Sequence, residues 1–130
     1  MGIPDEFTKP TPRGIKCEGL ANVDAVQMTW SAFVTETDIR RAFSKLMVLL
    51  DQADKSLDVI MDVQAEPNIS VSSTLSYAYI LNTHPSMGDW LVIGQEDIAK
   101  NINTIMKKAQ MSNRVHWFKD EASLNDYLMS

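Results

Sequence analysis

The sequence predicts an α/β domain with a mainly parallel sheet, and three observations predict it. Short apolar runs alternate with helical stripes in the order β-β-α-β-α-β-α-β-α, and parallel neighbours need crossover helices between them. The runs Leu57 to Val63 and Asp89 to Gly94 are largely apolar on both faces, as strands covered by helices are. Capping and breaking residues fall between the runs rather than inside them. A length of 130 residues fits one domain, and about two-thirds of the unfolded surface can be buried at that size.

Residues 1–14 carry Pro4, Pro10 and Pro12 without periodicity, and read as a flexible leader, in part an addition from cloning. The domain is expected over residues 15–130. Ile15 to Leu20 is expected as a short strand. Ala25 to Phe33 is expected as the next, with Val26, Met28 and Trp30 on one face by period two. Thr35 can cap a helix, and Asp38, three residues on, can return the bond. Ile39, Ala42, Phe43, Leu46, Met47 and Leu50 recur at helical spacing and form its apolar stripe, which should end near Asp51 to Lys55.

The strand Leu57 to Val63 and the loop Gln64 to Asn68 follow. Serines then offer caps for a second helix over roughly Val71 to Thr83. Its inner side is read as Leu75, Ala78, Tyr79 and Leu81 or Asn82, and His84-Pro85 ends it. Gly94 closes the next strand. Glu96 and Asp97 begin a third helix at the end where the dipole suits acids, with Ile98, Ile102, Ile105, Met106 and Ala109 as its stripe. Arg114 to Phe118 is expected as the last strand, and Asp120 as the cap of a final helix bearing Ala122, Leu124, Tyr127 and Leu128.

A net charge of −5 argues against nucleic acid and anionic membrane as partners, since both call for a basic surface. Arg40-Arg41 and Lys107-Lys108 have acidic neighbours and read as solvated helix faces. Cys17 is the single cysteine, so no internal disulfide forms, and no Cys/His cluster has zinc spacing. No signal peptide and no apolar run of about 18 residues is visible, which favours the cytoplasm. Neither a glycine-rich phosphate loop nor a GxSxG elbow occurs. Asp58 and Asp62 share a strand face but stand too far apart to chelate together. His84 and His116 read as satisfied surface or strand residues, and the tryptophans and methionines as core or core edge. The expectation is a chain with no catalytic residue, no metal and no cofactor.

The stretch MTWSAFVTETDIRRAFSKLMVLLDQADKSLDVIMDV, from Met28 to Val63, resembles the opening half of bacterial STAS-like, or SpoIIAA-like, domains. There a strand ending in a "tWsGfvT" phrase leads into the first helix and then into a strand ending in Asp. HPSMGDWLVIG and VHWFKDEASLNDYL are similar to the closing half of that group. The resemblance covers roughly Ile15 to the C-terminus. It implies a four- to five-stranded sheet with helices largely on one face. It also implies a non-enzymatic role in binding other proteins, as in anti-sigma-factor antagonists. In that family a serine or threonine at the start of the second helix accepts phosphate, and the matching stretch here is Asn68 to Thr74. Ser70, Ser72, Ser73 and Thr74 are therefore the candidates for a phosphoacceptor or interaction loop. The family's D-S-S-G phrase is absent: Val71 divides the serines, no glycine follows, and Ala32 stands where relatives often have glycine. N-capping is the simpler use of these hydroxyls, although a helix N-terminus also tolerates added negative charge.

In open α/β sheets, sites gather beyond the carboxyl ends of the strands. Ser31, Thr35, Thr37 and Asn68 fall there and are expected to form an interaction surface with the serine loop. The expected function is regulatory protein–protein interaction through Ser31 to Thr37 and Asn68 to Thr74. The alternative is a sensor for a small-molecule or lipid-like ligand held between sheet and helices, motivated by the methionine and aromatic content. The expected partner is a protein, and a homodimer is left open.

Overall fold

A computed structural model describes residues 13–69, 71–108 and 114–129. Among them run β1 (Ile15–Gly19), β2 (Ala25–Trp30), α1 (Glu36–Gln52), β3 (Leu57–Asp62), α2 (Val71–Asn82), β4 (Met87–Ile93), α3 (Glu96–Lys108), β5 (Val115–Phe118) and α4 (Glu121–Met129). The strands form one five-stranded sheet in the order β1-β2-β3-β4-β5. β1 and β2 are antiparallel, and every later pair is parallel. Ser70 and Ala109 of the sequence reading lie outside the described residues. No helix among the described residues is long and apolar enough to cross a membrane.

Period-two alternation sorts the strands into two unlike faces. Val26, Met28, Trp30, Val59, Met61, Val63, Trp90 and Val92 belong to one buried cluster with residues of α1, α2 and α3. Ala25, Ile60, Leu91 and Ile93 cluster on the opposite side with Leu124 of α4. Three helices therefore cover one face, and the short α4 covers part of the other.

Local chemistry explains where the elements begin. The Thr35 Oγ1 accepts the Asp38 N–H at 3.2 Å while Asp38 Oδ2 accepts the Thr35 N–H at 2.9 Å, a reciprocal cap for α1. The N–H of Thr35 holds the Asp38 carboxyl below the usual carboxylate range. Asp120 does the same for α4, accepting the Ser123 N–H at 2.8 Å.

Two expectations are corrected. β2 stops at Trp30, so Phe33 belongs to the loop and not to the strand. In α2 the inward stripe is Thr74, Ala78 and Leu81, all within 1 % of full burial, whereas Tyr79 is 58 % exposed. The helix starts at Val71 and lies beside α1, which turns Tyr77 inward to stack on Phe43 with centroids 5.1 Å apart. α2 is apolar on most sides, so its sequence does not reveal which side faces in.

Candidate interaction surface

Beyond the carboxyl end of β2 the chain leaves the sheet through Ser31 to Val34 and enters α1 at Thr35. Gly14, which the sequence groups with the leader, fastens this exit. Its N–H donates to the Phe33 carbonyl at 2.8 Å, and its own carbonyl accepts the Ser31 N–H at 3.0 Å. Ser31 Oγ donates to the same Gly14 carbonyl at 2.7 Å. Gly14 has φ +77°, a left-handed conformation that glycine adopts without steric cost.

The backbone of Phe33 is thus pinned while its ring stands 60 % exposed. Hollows open on both sides of it. One, of about 460 Å³, is lined by Trp30, Ala32, Phe33 and Ala65 with Arg13 and Lys16 among its polar members, and no carboxylate. The other, of about 420 Å³, brings Arg13, Phe33, Val34, Thr35, Asp38 and Asn68 together. Across the two helix starts, Ser73 Oγ donates to Glu36 Oε1 at 3.3 Å. The two loops that the sequence singled out therefore adjoin.

The named residues fare differently. Ser31 is spent on Gly14, and Thr35 is the helix cap. Thr37 is exposed in the first turn of α1, and Asn68 is exposed on the wall of the second hollow. Ser73 bridges to α1. Ser72 lies in the first turn of α2. Thr74 is fully buried, and its Oγ1 has no hydrogen-bond partner. It falls on the Ala78–Leu81 stripe, four and seven residues before them on the helix, so it is not part of the contact surface. Phe33 and Arg13 were missed as site residues. For Phe33 the signal was a large aromatic two residues before a helix cap, which alternation had assigned to a strand; Arg13 carried none.

Both histidines are fasteners. The Ser86 N–H donates to His84 Nδ1 at 3.0 Å, which leaves Nε2 to donate to Asp51 Oδ1 at 2.7 Å. This clips the end of α1 to the turn after α2. His116 Nε2 lies 3.0 Å from Asp89 Oδ2, and Arg114 Nε lies 3.8 Å from Asp89 Oδ1. The Arg114 guanidinium also donates to the Met87 and Gly88 carbonyls and to Asn82 Oδ1. Burial pushes the Cys17 thiol up to about 11, so it stays protonated and is a poor nucleophile at neutral pH. Among the described residues, no group of three or more His, Cys, Asp or Glu side chains could hold a metal ion.

Comparison with known proteins returns no matching family model, no matching curated protein and no matching solved structure.

Proposed function

We propose that this chain is a non-enzymatic regulatory domain of the STAS-like type that binds a partner protein through the surface around Phe33. The observation that carries the reading is a large aromatic ring held 60 % exposed on a loop bonded at Gly14 and Ser31. A pinned aromatic loses little conformational entropy on contact, which is why such rings dominate interfaces. The quoted phrases between Met28 and Val63 and the parallel order of β2 to β5 support the family assignment. A phosphate on Ser73 would meet the Glu36 carboxylate and repel it, parting the two helix starts beside the partner surface.

The test is a native pulldown with wild-type and Phe33→Ala baits from the source cell. The wild type should retain a stoichiometric protein, and Phe33→Ala should lose it by about 30-fold in affinity at an unchanged melting temperature. A partner retained equally by both baits, or none on the wild type, overturns the proposal.

One observation favours a second reading. The hollow of about 460 Å³ beside Trp30 and Phe33 falls within the usual size of small-molecule sites, about 300–1,000 Å³. It opens at the strand end rather than between sheet and helices. Native mass spectrometry of protein from its own cell discriminates: a reproducible small adduct favours a ligand sensor, and a clean apo mass counts against one.

A further inference from the structure

The outer side of α1 and α2 carries apolar groups that no other element covers among the described residues. Val48 is 51 % exposed and Ile80 is 55 % exposed. Between the helices lies a hollow of about 270 Å³ lined by Phe43, Ser44, Met47, Tyr77, Ile80 and Leu81. Single exposed apolar residues are ordinary, but here Ile80 rims a depression shared by the two helices, and Val48 stands on α1 one residue beyond Met47 of its wall.

The charges beside this hollow indicate what fits it. Asp51 reaches His84 across the groove at 2.7 Å, so it lies on the flank of α1 that faces α2. Arg40 lies about three turns earlier on the same flank, with Ser44 and Met47 between them. Arg40 is exposed and makes no ion pair among the described residues. The Asp51 side chain is 61 % exposed and commits only Oδ1 to His84. Along the flank the order is cation, small residue, long apolar residue, anion. Turned end over end about the point midway between Ser44 and Met47, this order complements itself. Arg40 then falls on Asp51, and Ser44 falls on Met47. A two-fold interface needs that property, because every contact recurs with the roles exchanged.

We propose that a second copy of this chain packs on the α1/α2 face, with α1 antiparallel to its counterpart. Arg40 pairs with the partner's Asp51, and Met47 packs over the partner's Ser44 toward the hollow. Val48 and Ile80 become interior. The antiparallel arrangement directs the two Phe33 surfaces toward opposite ends of the dimer. This inference is independent of what Phe33 binds.

Sedimentation velocity over a wide concentration range tests it with four proteins: wild type, Arg40→Glu, Asp51→Lys and Ile80→Glu. Circular dichroism checks that each is folded. The wild type should dimerise, and each variant should associate at least tenfold more weakly. Mixing Arg40→Glu with Asp51→Lys should restore association, since each mixed pair unites opposite charges while each variant alone unites like charges. If Asp51→Lys fails to fold for want of its His84 contact, Ile80→Glu carries the decision. A wild type that stays monomeric at the highest concentration reached overturns the proposal. So does a dimer indifferent to Ile80→Glu, or a folded mixed pair no tighter than its components. A monomer that floats with vesicles of anionic phospholipid would assign the face to a lipid surface and likewise overturn it.

Discussion

On the face covered by α1, α2 and α3 the strands present Val26, Met28, Trp30, Val59, Met61, Trp90 and Val92, all essentially sealed from solvent. On the other face Gln27, Thr29, Asp58, Asp89 and His116 surround a smaller apolar centre of Ile60, Leu91 and Ile93. One helix, α4, covers that centre, and Leu124 is its one buried residue. The same strands thus carry two tasks. The covered face supplies most of the apolar burial, at about 25 cal/mol per Å². The other leaves polar side chains at the surface and is closed by a short helix anchored through Leu124.

Breaking the covered face should cost most. Trp90→Ala removes a fully buried ring and should destabilise the protein by about 3–5 kcal/mol in urea titration. On the other face, Leu124→Ala should cost about 2–3 kcal/mol, toward the lower part of the range for buried leucines, because only α4 needs to loosen. Hydrogen exchange should then show α4 amides opening before those of β3. A Leu124→Ala cost above that of Trp90→Ala would reverse the comparison.

Smaller effects sharpen it. Thr35→Ala should cost about 1 kcal/mol through loss of the α1 cap. Its partner Asp38 has a folded-state pKa held below the unfolded one. Its contribution is therefore present above the unfolded carboxylate range and disappears as pH falls through the lower folded value. The stability gap between wild type and Asp38→Asn should be full at neutral pH and close in acid. Cys17 tests the seal of the covered face without altering it. With its thiol pushed up to about 11, it holds about a hundredfold less thiolate at pH 8 than an ordinary cysteine. Alkylation should be correspondingly slow in the native protein and fast in urea, and fast native labelling would show that α1 does not close over β1.

Much of this architecture is legible in the chain. The order of elements follows from where apolar periodicity changes from two to 3.6, and the Thr35–Asp38 cap is visible as two residue types at the right spacing. The orientation of α2 is not legible, because a helix apolar on most sides takes its inner face from its neighbours. Tyr77 and Tyr79 are equivalent as letters, and only the position of Phe43 separates them. The surface is harder still. Phe33 is exposed because Gly14 holds its backbone from 19 residues earlier in the chain, and no local pattern encodes that bond. Thr74 misleads for the opposite reason: a polar residue beside serines suggests surface, yet it occupies a core position with its hydroxyl unpartnered.

The sheet follows the chain, strand after strand, from β1 to β5. During synthesis from the N-terminus, each new strand can therefore join the edge left by its predecessor, and none has to slip between strands already paired. The patch of Ile60, Leu91 and Ile93 stays bare until the segment carrying Leu124 has been made. A chain halted short of that point displays the patch, and one that includes α4 can cover it. The α4 segment, far along the chain from the strands it caps, therefore decides when this apolar surface is withdrawn from solvent.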